Sequence, residues 1–189
     1  MVINSTLHFR IDNCDPRREL WAAICGSVKD TKEPKWLPCY AKVAEWLGDN
    51  QSKGLICIGP CSLGKSVICC QALPYLFKRH FDLDAKVVTA TEMNQQIDDL
   101  LGYCGQQRII IVDDLGKEAV SVYGRRPFFE LVDKCEVTGT LLVVSTNLRT
   151  TKHATIQYPS IEQRYGIPTL DRLKAITRVV VFEGESMRG

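Results

Sequence analysis

The eight residues 59–66, GPCSLGKS, constrain the fold of this chain more than any other stretch. They follow the apolar run LICI at positions 55–58 and lead into a second apolar run that begins at Val67. Gly59 and Gly64 allow the backbone to curl so that successive N–H groups point inward, and a helix that starts there adds the positive end of its dipole. The spacing G-x-x-x-x-G-K-[ST] between a strand and a helix is typical of a phosphate-binding loop. A glycine-rich turn that binds no ligand is the alternative.

The same loop predicts which groups hold a nucleotide. Lys65 is expected to reach the β- and γ-phosphates, and the hydroxyl of Ser66 is expected to bind Mg²⁺. A nucleoside triphosphate with Mg²⁺ is therefore the expected ligand of the loop. The residues predicted to surround the phosphates are Gly59, Pro60, Cys61, Ser62, Leu63, Gly64, Lys65, Ser66 and Val67.

A second motif, RIIIVDD at positions 108–114, is the strongest strand signal in the chain. Its continuous apolar run predicts a strand that is buried on both faces of a parallel sheet. At the carboxyl end of such a strand, two carboxylates face the ligand crevice of open α/β sheets. Asp113 is predicted to serve Mg²⁺ through water, and Asp114 to polarise the attacking water. A turn at Asp-Leu-Gly with a capping carboxylate is the alternative.

Apolar strands alternate with helical patterns from residue 55 onward, which predicts a parallel sheet in an α/β layer fold. The strand at 140–145 ends close to Asn147, which either caps the chain or contacts the γ-phosphate and the lytic water. The second role follows if this strand lies between the strand before the phosphate loop and the strand of the two aspartates. Pro74 is expected to kink or end the helix at 65–80. Other predicted elements are strands at 7–11, 86–89 and 178–182, and helices at 19–28, 39–47, 91–101, 123–136 and, in parts, 161–175.

Composition places the chain among ordinary globular proteins. Its 189 residues suffice for one domain, and the hydrophobic share is 45%. No apolar run approaches the roughly 20 residues of a membrane span, and no secretory signal pattern is evident at the start, so a cytoplasmic location without membrane partners is expected. The nine cysteines show no zinc-ligand spacing. Except for Cys61 in the phosphate loop, they are interpreted as small buried hydrophobes in a reducing compartment. A net charge of +2 neither demands nor excludes nucleic acid.

Taken together, GPCSLGKS, IIIVDDLG, VVSTN, YGIPTLDRL and VVVFEGESMR resemble the AAA+ ATPases of the DnaC/DnaI helicase-loader group and the related transposition helper IstB. This resemblance implies an α/β P-loop NTPase fold, a three-layer sandwich with a central parallel five-stranded sheet of AAA+ type. No separate C-terminal lid domain is expected. Residues 1–53 are expected to form an N-terminal strand/helix extension packed on the core, and residues 54–189 the AAA+ ATPase core.

The resemblance also implies roles for polar residues outside the first two motifs. Asn147 matches the polar sensor, Arg172 the arginine finger that reaches the nucleotide of a neighbouring subunit, and Arg188 the second sensor arginine. A surface ion pair is the alternative for each arginine. Residues 148–160, with Arg149 and Lys152, are a candidate nucleic-acid contact or a solvated loop.

The function implied is that of an ATP-hydrolysing helicase loader in DNA replication that assembles with itself on single-stranded DNA. The partner would then be a replicative helicase. The alternative is an IstB-like transposition helper that binds duplex DNA and a transposase. Two departures from the loaders are expected: a chain without their separate N-terminal helicase-binding domain, and a short segment at residues 91–107. A small-molecule kinase would need a mobile arginine-rich lid, and none is evident.

Overall fold

The computed structural model describes residues 6–28, 34–118, 124–149 and 159–184. Two helices precede the first strand, and helices and strands then alternate. The helices are α1 (Pro16–Ser27), α2 (Pro38–Gly48), α3 (Lys65–Val67), α4 (Leu73–Phe81), α5 (Ala90–Gln95), α6 (Ile97–Tyr103), α7 (Pro127–Thr138), α8 (Ile161–Tyr165) and α9 (Ile167–Ile176). The strands are β1 (Gly54–Ile58), β2 (Ala85–Thr89), β3 (Ile109–Leu115), β4 (Leu141–Thr146) and β5 (Thr177–Val181).

The five strands of the described residues form one parallel sheet in the order β2-β3-β4-β1-β5. The predicted parallel five-stranded sheet is therefore confirmed. Strand β4 lies between β1 and β3, with Val143 opposite Leu55 on one side and Ile111 on the other. This is the arrangement on which the predicted role of Asn147 depended.

Two apolar clusters cover the two faces of the sheet. Because successive side chains of a strand point to opposite faces, Ile109 and Ile111 join one cluster while Ile110 and Val112 join the other. The first cluster includes residues of α1, α2 and α4, and the second includes residues of α5, α6, α7 and α9. The result is the three-layer α/β sandwich predicted from the sequence.

Two predicted elements differ from the structure. Residues 7–11 form no strand: they are extended and make a single antiparallel bridge from Arg10 to Asp49. The helix expected at 91–101 is two helices, because Gln96 leaves the helical region with φ −115° and ψ 24°. The first of them begins one residue earlier than predicted, because Thr89 and Glu92 form a reciprocal capping box.

The helix after the phosphate loop passes through Pro74 instead of ending there. A π-helical turn, Ile68–Ala72, separates α3 from α4, and Pro74 lies in the first turn of α4. Proline lacks an N–H group and its ring clashes with the carbonyl four residues earlier. The wider π turn is the local adjustment that allows the helix to continue to Phe81.

Cysteine burial follows the sequence interpretation only in part. Cys39, Cys57, Cys69 and Cys135 are buried, whereas Cys25 is exposed. Cys61, the exception in the phosphate loop, is exposed as well. Among the described residues, no helix has both the length and the apolar character needed to cross a bilayer.

Candidate nucleotide-binding site

The predicted site residues meet at the carboxyl edge of the sheet. The phosphate loop follows β1, Asp113 and Asp114 lie near the end of β3, and Asn147 follows β4 directly. Since β4 separates β1 from β3, Asn147 emerges between the loop and the acidic pair. The order of the strands therefore brings together residues that are far apart in the sequence.

Glycine is required at two positions of the loop. A Cβ atom at Gly59 would lie 2.3 Å from the backbone oxygen of Phe182, on the segment that follows β5. Gly64 has φ 77°, in the left-handed region, immediately before α3. Its carbonyl accepts from the N–H of Ile68 at 2.9 Å, so the helix begins directly at the loop and directs its N-terminus at the site.

The ammonium of Lys65 is fixed at the centre of the site, where the residue is only 5% exposed. It donates to the carbonyls of Gly59 at 2.9 Å and Pro60 at 2.7 Å, and to Oδ1 of Asn147 at 2.9 Å. Desolvation lowers the pKa of Lys65 from its usual value. These three acceptors compensate part of the cost of burying the charge.

The oxygen atoms predicted to serve a metal lie side by side. Ser66 Oγ donates to Asp113 Oδ1 at 3.0 Å, and Ser145 Oγ donates to the same carboxylate oxygen. Burial, followed by the charge of Asp113, raises the pKa of the nearby Cys70 thiol. A hydroxyl and a carboxylate are the hard oxygen ligands that Mg²⁺ prefers, so Ser66 and Asp113 fit this ion.

Asp114 is bound by side chains on both of its oxygens. Oδ2 pairs with Nζ of Lys117 at 2.6 Å, and Oδ1 lies 3.5 Å from Nδ2 of Asn147. Its backbone N–H donates to Ser145 Oγ at 3.1 Å, and its φ of 55° turns the chain sharply. The two aspartates therefore point toward the side of the loop that carries Lys65 and Ser66.

A tyrosine supports the loop from the N-terminal segment. Tyr40 on α2 is buried, and its hydroxyl donates to the carbonyl of Leu63 at 3.1 Å. Burial raises the pKa of Tyr40 to about 12. Trp36 lies in edge contact with Tyr40, with ring centroids 5.6 Å apart. Neither aromatic residue is part of a recognisable motif, so the pattern alone did not reveal this support.

Three polar residues of the site were not identified from the sequence. Ser145, Lys117 and Glu118 contact Asp113, Asp114 and the backbone of the turn after β3, respectively. Ser145 carried a weak signal, because it is a polar residue at the end of a buried apolar strand. Lys117 and Glu118 follow the aspartates in a segment without periodicity, and only the folded turn shows their contacts.

The two predicted arginines are less central. Arg172 lies on α9 and pairs with Asp133 and with Glu136, the latter at 3.0 Å, both on α7. Its guanidinium also lies 5.5 Å from the ring centroid of Phe129. Arg188 and residues 150–158 lie outside the described residues, so their predicted contacts stay predictions.

Cys14, Glu19 and His80 also come together, on α1 and α4 and the segment before α1, with potential ligand atoms within 4.8 Å of one another. Oε2 of Glu19 lies 3.0 Å from Nε2 of His80 and 3.8 Å from Nε of Arg79. The guanidinium opposes a divalent ion, so the group is interpreted as an ion-pair cluster that joins the two helices.

The sheet order, the loop after β1 and the acidic end of β3 define a P-loop NTPase fold of AAA+ type. Among solved structures, the chain is similar to the DnaC helicase loader, with a TM-score of 0.63 and 14% identity over 88% of this chain and 99% of that one. It is also similar to DnaI, with a TM-score of 0.61 and 17% identity over 92% and 94% of the two chains.

A third similar structure is AMPPCP-bound DnaA from Aquifex aeolicus, with a TM-score of 0.52 and 13% identity over 80% of this chain and 49% of that one. No protein-family model matches the chain, and no curated protein matches it either. At these identities the similarity concerns the fold. The chain has the fold of the DnaC/DnaI group of AAA+ ATPases, as the motifs predicted.

Proposed function

We propose that this chain is an ATPase that acts in DNA replication as a helicase loader and assembles with itself on single-stranded DNA. One observation carries the catalytic part. The Oδ1 atom of Asn147 holds the ammonium of Lys65, while Nδ2 of the same side chain faces the carboxylate of Asp114. A cation for phosphate, a polar sensor and a base for water thus occupy one continuous site.

Each residue of the site has a separate role in the proposed hydrolysis. Lys65 exchanges the carbonyls of Gly59 and Pro60 for the β- and γ-phosphate oxygens, which carry more negative charge than a carbonyl. Asp114 accepts a hydrogen bond from a water molecule and aligns its oxygen with the γ-phosphorus, opposite the bond to ADP. Asn147 fixes the positions of Lys65 and Asp114 relative to each other. Bound Mg²⁺, held by Ser66 and Asp113, would neutralise charge on the phosphates.

Assembly supplies the remaining cation. Arg172 is 39% exposed on α9, and its partners Asp133 and Glu136 hold it through surface ion pairs that cost little to exchange. We assign it to the γ-phosphate of a neighbouring copy, where a guanidinium stabilises charge in the transition state. Arg188 is assigned to the nucleotide of its own subunit on the basis of the motif alone.

The fold supports the choice of process, because the similar structures include proteins described as a helicase loader and as DnaI. A replicative helicase, single-stranded DNA and further copies of this chain are the proposed partners. The transposition alternative uses the same chemistry and differs in its preference for duplex DNA and a transposase.

The test combines turnover with sedimentation. The parent chain is expected to hydrolyse ATP, at a rate that rises with protein concentration or single-stranded DNA, and to sediment as a larger species when both ligands are present. Asp114→Asn should retain binding of a fluorescent ATP analogue while turnover falls by about 100-fold or more. Asp99→Asn, an exposed aspartate on α6, is the matched control. A chain that stays monomeric with ATP and every DNA tested contradicts the assembly, and preference for duplex DNA supports the transposition alternative.

A further inference from the structure

Lys117 forms an ion pair with Asp114, the carboxylate assigned to the attacking water. Its Nζ lies 2.6 Å from Oδ2, and the hydrogen bond to Asp114 raises the pKa of Lys117. The backbone makes a second contact between the same two residues, because the N–H of Lys117 donates to the carbonyl of Asp114 at 3.1 Å. The lysine side chain is 61% exposed and that of Asp114 32%, so the pair lies at the mouth of the site.

The turn that carries this pair is fixed by the fold. Gly116 has φ 103°, and a Cβ atom there would lie 3.0 Å from Cγ of Leu148. Its N–H donates to Glu118 at 2.8 Å. Glu118 is buried and also accepts from Arg164 and Tyr165 on α8. The turn that places Lys117 next to Asp114 is therefore held by the buried Glu118 and its two partners on α8, and differs in this respect from the site of an ordinary surface ion pair.

The pair has a consequence for the proposed reaction. To align a water molecule, Asp114 must accept a hydrogen bond from it, and Asn147 already faces Oδ1. An ammonium on Oδ2 takes one of the acceptor positions of this oxygen and withdraws negative charge from it. A water molecule at the γ-phosphate therefore meets a weaker acceptor while Lys117 is paired.

We propose that Lys117 is a positioning residue that restrains Asp114, so that the subunit hydrolyses ATP slowly until the ion pair opens. This inference rests on the proposed ATPase function. It predicts that loss of the Lys117 ammonium raises kcat. If Lys117 instead contacted phosphate, its loss would lower kcat. The expected gain is a few-fold, because an exposed ion pair contributes little free energy.

The experiment compares kcat, KM and binding of a fluorescent ATP analogue in the full chain. Lys117→Met is expected to raise kcat by up to about fivefold with KM unchanged. Lys117→Arg, which keeps the charge, should recover the slower rate. In an Asp114→Asn background, Lys117→Met should produce no gain. Lys42→Met, which removes an exposed ammonium from α2, is the matched control.

The outcomes separate this inference from the function on which it rests. Turnover in the parent with an equal or lower kcat in Lys117→Met overturns the restraint and leaves the ATPase assignment intact. Nucleotide binding without turnover in any variant overturns the ATPase assignment and the restraint together.

Discussion

Lys65 and Asn147, which are 82 positions apart in the sequence, are joined by a hydrogen bond of 2.9 Å from Nζ to Oδ1. The contact exists because β1 and β4 are adjacent parallel strands whose carboxyl ends meet at one edge of the sheet. It orients the amide so that Nδ2 faces Asp114. A single side chain therefore fixes the position of Lys65, the cation assigned to phosphate, relative to the carboxylate assigned to water.

Replacing Asn147 tests whether its two contacts position Lys65 and Asp114 for turnover. Asn147→Ala removes the acceptor for Lys65 and the donor toward Asp114, and kcat is expected to fall by about 10-fold or more, because a preorganised polar contact in a buried site is lost. Affinity for an ATP analogue should change much less, since the loop and Lys65 remain. Gln95→Ala, at an exposed amide of α5, is the control. Equal kcat values for Asn147→Ala and the parent would remove the sensor role.

The sheet and the centre of the site could be predicted because strong local patterns determine them. The apolar run before Asp113 and the glycine spacing around Lys65 each specify a strand end or a turn, and parallel strands place such ends on one edge. Asn147 could be placed in the site only on the condition that β4 lies between β1 and β3, and the structure meets this condition.

Other features depend on tertiary contacts that no local pattern contains. The break at Gln96 divides the predicted helix into α5 and α6, and both helices contribute residues to the same apolar cluster on one face of the sheet. The ion pair of Lys117 depends on a turn held by Glu118, whose partners lie on a helix that begins at Ile161. Periodicity and spacing describe residues that are close in the sequence, whereas these contacts join residues that are far apart in it.

The buried hydroxyl of Tyr40 predicts a specific dependence of stability on pH. Its pKa is raised from the ordinary 10.0 to about 12 in the folded protein. Between these values the unfolded chain releases a proton that the folded chain retains. The contribution to the free energy of unfolding is therefore fully present below pH 10 and is lost as the pH rises toward 12, at up to about 1.4 kcal/mol per pH unit.

Tyr40→Phe should make that decline shallower, as measured by urea unfolding at a series of alkaline pH values. At neutral pH the same variant should lose about 1 kcal/mol, because the carbonyl of Leu63 loses its donor. Tyr75→Phe, at a residue that is 52% exposed, should keep the parental slope. Parallel curves for the parent and Tyr40→Phe would show that this hydroxyl does not account for the alkaline loss.

The cluster of Glu118, Arg164 and Tyr165 predicts a large effect on stability. Glu118 is 7% exposed and accepts from the Arg164 guanidinium at 3.1 Å and from the Tyr165 hydroxyl. Glu118→Ala leaves a partly buried guanidinium without its carboxylate, and the free energy of unfolding is expected to fall by about 2–4 kcal/mol.

A double-mutant cycle separates this pairing from simple loss of packing. Glu118→Ala combined with Arg164→Met should cost clearly less than the sum of the two single changes, because the unpaired charge is removed as well. Glu45→Ala, at an exposed position of α2, is the control for loss of a carboxylate. Additive losses would mean that the two side chains contribute independently.

Mixing two inactive variants tests whether Arg172 acts on a neighbouring copy. Lys65→Met leaves a subunit that cannot bind phosphate but still presents Arg172. Arg172→Ala leaves a subunit that keeps Lys65 for phosphate but presents no arginine to its neighbour. Because Arg172 is held by surface ion pairs with Asp133 and Glu136 and by a contact with the ring of Phe129, its removal should cost no more than about 1 kcal/mol of stability. Each variant alone should therefore be folded and nearly inactive under assembling conditions.

When the two are combined with ATP and single-stranded DNA, turnover should reappear at interfaces where an intact Lys65 faces an intact Arg172. An arginine that acts within its own subunit cannot produce this recovery, because no subunit in the mixture then holds both cations. Lys174→Ala, which removes an exposed cation from the same helix, should be active by itself and serves as the control. Continued inactivity of a mixture that sediments as an assembly would show that Arg172 is not the residue that completes the neighbouring site.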